Sequence, residues 1–381
     1  MRILILTPRL PWPPLDGGRI AMARLAEGLV HAGAAVEILS LNPRKHRATA
    51  TAPMPLQAID IDTRVPSFSM RIPFMVGRFV SNEFRNALRA TLRRFKPDIV
   101  QIESPFLLTY VDTVRNESDA RIVLRSLNVE FRIWEGLARI ERNPLRRIAL
   151  RRIAASLRKY EVRHLDTTDA LVPISEDDAD DFRRLGSSRP MHVVPCGVTV
   201  PESADGLPTP SSVGFIGSLD FRPNQEAVEW IAGELWPRMV ERVPEARLSI
   251  AGSSAPKWLR RRMTNIDFRG RVDDATSFMN SMSVMIAPLF AGGGMRIKVL
   301  EAMTLGKPVV ATTLGAGGLH VEHGRDILIS DDAASFADAV ALLLRNPQTA
   351  ARIGNAARET VSSRYDNDVL AHGLLKFYES L

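Results

Sequence analysis

Residues 283–319, Ser283-Val-Met-Ile-Ala-Pro-Leu-Phe-Ala-Gly-Gly-Gly-Met-Arg-Ile-Lys-Val-Leu-Glu-Ala-Met-Thr-Leu-Gly-Lys-Pro-Val-Val-Ala-Thr-Thr-Leu-Gly-Ala-Gly-Gly-Leu319, decide the fold. Val284 to Pro288 is a short apolar run that predicts a buried strand, and Ala291 to Gly294 predicts a glycine loop. Arg296 to Leu305 has helical periodicity, Gly306 and Pro308 stop it, and Val309 to Thr312 predicts the next strand. The result is a strand, loop, helix, strand unit.

Three successive glycines, Gly292, Gly293 and Gly294, let backbone N–H groups converge, and the following helix N-terminus adds positive partial charge. An anionic group is welcome there, and Arg296 and Lys298 reinforce the sign. On a helical wheel Ile297, Val299, Leu300, Met303 and Leu305 leave little polar face, so the helix is expected to be buried. Glu301 falls in the arc between Ile297 and Leu305, where a carboxylate needs a partner. Two arrangements supply one. Lys298 can pair with Glu301 three residues on, beside an ordinary glycine turn. Alternatively, Gly292 to Gly294 seat a phosphate while Glu301 accepts hydrogen bonds from paired ligand hydroxyls such as those of a ribose, which together mean a nucleotide.

These residues resemble the family 4 glycosyltransferases of the GT-B fold. In that family a glycine-containing loop, a helix carrying Glu-Ala-Met, and Gly-x-Pro-Val-Val bind the nucleotide-sugar donor. Gly292 to Val310 follows the same order. The family often carries two glutamates separated by seven residues; here only the second is present, as Glu301, and Gly293 stands at the place of the first. The Gly-Gly-Gly-x-Arg-x-Lys form resembles a branch of the family.

The chain has 381 residues, 45% of them hydrophobic, enough for two cores. Met1 to Leu6 is apolar but is followed at once by Pro8, Pro11, Pro13 and Pro14, too soon for a signal peptide, and no later run has the length of a membrane span. A single cysteine, Cys196, excludes an intramolecular disulfide and suits a reducing cytoplasm. The net charge of +7 calls for an anionic partner: nucleotide phosphates, lipid head groups or nucleic acid. No zinc-like Cys/His spacing and no ribonucleoprotein-type aromatic motif occurs, so nucleic acid has only the charge in its favour and is not expected.

Arg2 to Thr7 reads as a first buried strand, Arg19 to Ala32 as a helix and Ala35 to Leu41 as a second strand. This opens a doubly wound α/β sheet, whose ligands bind beyond the carboxyl ends of the strands. Gly17 and Gly18 precede the first long helix; they resemble the family's first glycine loop, which faces the interdomain cleft near donor phosphate and acceptor. The dinucleotide fingerprint Gly-x-Gly-x-x-Gly is missing after this strand. Asp60-Ile61-Asp62 has the Asp-x-Asp form of a metal site in another glycosyltransferase fold, but reads here as two carboxylates at a strand or loop edge, and no metal is predicted. Residues 81 to 95 predict an amphipathic helix; Asp98 to Glu103, Arg121 to Arg125 and Leu171 to Ile174 predict strands.

Ser126-Leu127-Asn128-Val129-Glu130 resembles the family's His-Asn-Val-Glu motif, with Leu127 at the histidine position. The resemblance makes Asn128 and Glu130 candidate cleft residues on the acceptor side; a local turn and cap would equally explain them. Ser175-Glu176 begins a capped helix. Residues 139 to 163 hold nine Arg and Lys against two Glu, with Leu150, Ile153, Ala154, Leu157 and Tyr160 on one helical face. Both a solvated helix docked on the first domain and a patch attracting an anionic membrane surface fit this pattern.

Pro195 to Val198 resembles the family's Pro-Asn-Gly-Val, and Pro201 to Ser212 reads as a linker. A second unit follows: strand Val213 to Ile216, a loop through Asn224 and a helix from Gln225 to Met239, then strands Leu248 to Ala251 and Ile266 to Gly270. Residues 348 to 380 read as mostly helical.

The expected fold is therefore α/β, GT-B, with two doubly wound Rossmann-like domains facing an interdomain cleft: 1–200 on the acceptor side, 201–365 for the nucleotide-sugar donor, and 366–381 as a last helix packing back on the first. The resemblance implies a retaining glycosyltransferase of hexosyltransferase type that needs no metal, moving sugar from a nucleotide-sugar donor to a hydroxyl of a glycan or lipid-linked acceptor in cell-surface polysaccharide or glycolipid synthesis. The nucleotide sugar is a substrate, so no cofactor is expected. Arg222, Arg296 and Lys298 would stabilise the departing diphosphate, and Gly217, Ser218, Gly292, Gly293, Gly294, Glu301 and Gly317 would bind the donor. The place expected for the chain is the cytoplasm, or the inner face of the membrane. The alternative is a catalytically silent nucleotide-sugar-binding scaffold of a polysaccharide assembly complex, supported by Gly293 and Leu127.

Overall fold

The computed structural model describes residues 1–14, 16–44, 52–64, 72–141, 143–201, 208–291 and 295–381. They form two units, Met1–Gly197 with Asn367–Leu381, and Val198–Asp366. Gly292, Gly293 and Gly294 lie outside the described residues.

The first unit runs β1 (Arg2–Thr7), α1 (Gly17–His31), β2 (Ala35–Pro43), β3 (Leu56–Ile61), α2 (Phe74–Gly77), α3 (Asn82–Phe95), β4 (Ile99–Ile102), α4 (Val111–Glu117), β5 (Arg121–Ser126), α5 (Glu130–Ile140), α6 (Pro144–His164), β6 (Ala170–Pro173) and α7 (Glu176–Arg184). Its six strands are parallel, in the order β3-β2-β1-β4-β5-β6. Helices cover both faces, which is why the strands read as unbroken apolar runs. Ile3 and Ile5 point to one core with Leu25 and Leu29 of α1, while Leu4 and Leu6 point to the other with Phe84 and Leu88 of α3. β3 has no apolar run; it is a half-buried edge strand, and Asp60 and Asp62 hold Asn42 and Arg64 at 2.8 Å each.

The second unit runs β7 (Ser212–Ile216), α8 (Arg222–Trp230), α9 (Trp236–Arg242), β8 (Arg247–Ala251), α10 (Lys257–Arg260), β9 (Asp267–Gly270), α11 (Ala275–Asn280), β10 (Val284–Ala287), α12 (Ile297–Thr304), β11 (Val309–Ala311), β12 (Leu328–Ile329), α13 (Ala333–Arg345) and α14 (Pro347–Arg364). Its strands are again parallel, in the order β12-β11-β10-β7-β8-β9. Val284 and Ile286 face a core with Phe336 and Val340 of α13; Met285 and Ala287 face another with Leu300 and Met303 of α12. The single helix expected from Gln225 to Met239 is interrupted by a π turn over Ile231–Leu235. Pro237 has no N–H to give the preceding turn, and the wider turn absorbs the loss.

The last helix, α15 (Asn367–Glu379), belongs to the first unit and buries Ala371, Leu374 and Tyr378. The Tyr378 hydroxyl donates to Gln101 Oε1 at 2.6 Å, and the Gln101 amide donates to Glu103, whose carboxylate also holds buried Arg125 at 2.8 Å. Among the described residues no helix is long and apolar enough to cross a membrane.

Candidate functional site

In each sheet the winding reverses beside the first strand, and the loops leaving the two strands at that point part to opposite faces. In the second unit these are β7 and β10. The loop after β7 starts at Gly217, whose N–H donates to Ala251 O at 3.0 Å. A Cβ on Gly252 would lie 2.1 Å from Gly217 O, so only glycine permits the two strand ends to meet this closely. The Ser218 hydroxyl donates to Asp220 at 2.6 Å and lies 3.2 Å from Ser253 Oγ, while the Asn224 amide donates to Ser218 O at 2.8 Å. Arg222 opens α8, is exposed, and pairs with Glu226 at 2.9 Å.

On the β10 side, α12 begins without a side-chain cap, and its Ile297 N donates to Met295 O at 3.1 Å and its Val299 N to Arg296 O at 2.9 Å. Arg296 is half-buried just before it and donates to Leu314 O at 3.3 Å; burial holds its guanidinium below the usual arginine range. Lys298 Nζ lies 2.7 Å from Glu301 Oε2, the helical pair anticipated from their spacing. The helix buries Val299, Leu300, Ala302 and Met303 but keeps Lys298 exposed and Glu301 half-buried, so its polar edge is wider than the wheel suggested.

Gly317 stands in the loop after β11. Thr312, which the sequence did not single out, joins this loop to the one after β10: its hydroxyl donates to Leu289 O at 2.5 Å and accepts from Gly315 N at 3.0 Å. A Cβ on Gly315 would lie 2.0 Å from Ala287 O. Gly217, Ser218 and Gly317 thus stand in loops that follow strands of one sheet, with Arg296 at the start of α12 and Lys298 and Glu301 within it. Gly252, Ser253 and Thr312 join them, and the small pair Gly252-Ser253 directly after a strand was the signal for two of these.

In the first unit the reversal falls between β1 and β4. Gly17 and Gly18 open α1, and Asp16 caps it by accepting from Arg19 N at 3.2 Å. Asp16 also grips the Arg9 guanidinium through two hydrogen bonds of 3.0 and 2.7 Å. A Cβ on Gly18 would lie 2.7 Å from Arg9 Nη2 and 3.7 Å from Leu127 Cδ1, so Leu127 packs beside the glycine loop. Asn128 is exposed, with its carbonyl accepting from Ser126 Oγ at 2.6 Å.

Glu130 is the first residue of α5, and burial pushes its carboxyl up to about 7. Glu161 of α6, unremarked in the sequence, is 3% exposed and accepts from Phe131 N at 3.1 Å. Burial first, and then the charge of Glu130, push it up to about 8. Two carboxyls therefore share the start of α5.

Residues 15–200 match a family model described as Glycosyltransferase Family 4, and residues 210–346 match one described as Glycosyl transferases group 1. The phosphatidyl-myo-inositol mannosyltransferase of Mycobacterium leprae (strain TN) is 34% identical over 153 residues, covering 38% of this chain and 41% of that protein, so the chain spans about two fifths of the length of this relative. An uncharacterized 44.6 kDa protein in the cps region of Klebsiella pneumoniae is 21% identical over 395 residues, covering 98% of this chain and 99% of that one. The crystal structure of Anabaena HepE in complex with UDP-glucose superimposes with a TM-score of 0.66 at 15% identity over the whole of both chains, which shows the GT-B fold of two Rossmann-like domains. With matches in both units, the chain belongs to the family 4 glycosyltransferases.

Proposed function

We propose that the protein moves a sugar from a nucleotide-sugar donor to a hydroxyl of a glycan or lipid-linked acceptor, with retention of anomeric configuration. The observation that carries this is the carboxyl edge of the second sheet, where the uncapped start of α12 stands with Arg296, Lys298 and Glu301 beside the loop of Gly217 and Ser218. A guanidinium and an ammonium group together suit a diphosphate. Arg296 and Lys298 stabilise the charge that builds on the diphosphate as its bond to the anomeric carbon breaks, and fixed cations do this best when water is excluded. Arg222 joins them by exchanging Glu226 for the diphosphate. Glu301 positions the ribose by accepting from its hydroxyls and takes no part in bond making. Similar proteins agree in kind: the Anabaena HepE structure holds UDP-glucose, and the mycobacterial relatives are phosphatidyl-myo-inositol mannosyltransferases. The pathway proposed is synthesis of a cell-surface polysaccharide or glycolipid.

The test is a panel of nucleotide sugars, followed by thermal shift and by release of nucleoside diphosphate, with and without membrane lipid extract. Binding with acceptor-dependent release of one diphosphate is expected. Binding of several donors with no release under any acceptor would favour the silent scaffold, the reading to which Leu127 beside Gly18 lends support.

A further inference from the structure

We propose that α6 presents a lipid-docking face through which the chain binds an anionic phospholipid surface. The helix buries Ala154, Leu157 and Tyr160 against the first unit. On the opposite stripe, at intervals of three and then seven residues, stand Leu145, Ile148, Ala155 and Val162. Leu145 is 78% exposed, Ile148 49% and Val162 40%. Residues 143–149 are exposed without exception, so the first turns of α6 stand clear of the core.

Cations flank this stripe. Among the described residues, Arg151, Arg152, Lys159 and Arg163 have no acidic partner within ion-pair distance. A groove of about 950 Å³ runs between α5 and α6, with Arg139, Arg151, Arg158, Lys159 and Arg163 along it and Glu135 as the acid in its lining. Arg132, also in the groove, is occupied by Asp181 at 2.8 Å. The groove therefore offers several uncommitted cations to phosphate groups.

Charge alone would suit any polyanion; the apolar stripe decides between them. Of fifteen large hydrophobic side chains exposed among the described residues, five lie on α5 and α6. A nucleic-acid backbone gains nothing from Leu145, Ile148 and Val162, whereas a lipid interface takes the apolar side chains below the head groups and the cations among them. This surface does not rest on the transfer reading, and donor binding provides a separate readout.

The experiment is flotation of the full chain with vesicles of phosphatidylcholine alone and of equal parts phosphatidylcholine and phosphatidylglycerol, at low and high salt. The native chain is expected to float with the anionic vesicles only, and less at high salt. The triple variant Arg151→Gln, Arg152→Gln, Lys159→Gln should weaken binding by about a hundredfold at low salt, at about 1 kcal/mol per cation. Leu145→Ser with Ile148→Ser should weaken it by about tenfold while leaving charge unchanged. All five positions are exposed, so thermal stability and donor binding should match the native chain. Equal flotation with neutral vesicles would overturn the proposal, as would indifference to the charge variant. A short RNA bound as tightly as the anionic vesicles, with the Leu145/Ile148 variant unaffected on both, would assign the face to polyanions in general.

Discussion

Glu301 pairs with Lys298 at 2.7 Å, and both lie at the edge of α12 rather than in its core. Because that ion pair is partly exposed, its loss costs the fold little, about 1 kcal/mol or less. The ligand hydroxyls assigned to Glu301 are worth more, since a hydrogen bond to a charged group contributes about 1.5–3 kcal/mol. Glu301→Ala is therefore expected to raise the donor Kd by about tenfold to a hundredfold with the melting temperature nearly unchanged. Calorimetric titration with the nucleotide sugar checks this, and an unaltered Kd would remove the ribose assignment. Two glycines make the converse contrast. At Gly252 a methyl group would strike the backbone oxygen of Gly217 at 2.1 Å, and Gly252→Ala should cost about 1–3 kcal/mol of stability in the second unit. At Gly18 the obstacle is the end of the flexible Arg9 side chain, at 2.7 Å. Gly18→Ala should leave stability within about 1 kcal/mol while displacing Arg9 from Asp16, so denaturant unfolding separates the two variants.

At the scale of elements, α5 is tied to α6 by Glu161, which accepts from the first amides of α5 in a place with little water. Its carboxyl ordinarily titrates near 4.5 and is pushed up to about 8 when folded. The folded state thus holds a proton the unfolded state has released, and stability falls as pH rises between those values. Glu130 beside it is pushed up to about 7, so the two titrate as a pair. Amide exchange in residues 130–137, corrected for the intrinsic pH dependence, should show less protection at pH 9 than at pH 6, and Glu161→Gln should flatten the difference. Protection that rises with pH would be incompatible with this account. Nothing in the sequence announced the pair, because its members are thirty-one positions apart and Glu161 sits in a helix whose composition is dominated by arginine. By contrast β10, α12 and β11 were legible residue by residue, since an apolar run, a glycine loop and Gly306 with Pro308 each act locally. β3 was obscured by its edge position, where polar and apolar residues mix. In the candidate site the glycines and cations carried local signals, whereas the bond from Thr312 to the carbonyl of Leu289 exists only because sheet formation brings the two together.

For the whole molecule, the chain completes its first unit with its last residues, after the second unit has been made. Asn367 donates to Arg24 O at 2.6 Å, and a Cβ on Gly28 would lie 3.1 Å from Ala371 Cβ, so α15 lies close against α1 through a glycine. Leu374 is fully buried, and Tyr378, 3% exposed, reaches Gln101 of β4 in the same core. Removing a buried Leu or aromatic side chain costs about 2–5 kcal/mol each, against a total stability of about 5–15 kcal/mol for a domain. Truncation after Asp366 should therefore unfold the first unit, or lower its melting point steeply, while the second unit keeps its own two cores. Hydrogen exchange resolved by peptide is the measurement: protection should vanish across β1, β4 and β5 and persist across β7, β10 and β11. The milder Tyr378→Phe removes only the hydroxyl, leaves Gln101 Oε1 without this donor, and should cost about 1–3 kcal/mol. If the truncated chain kept native protection in β1 and β4, α15 would be an appendage to the first sheet and the Gln101, Glu103 and Arg125 network would be stable without it.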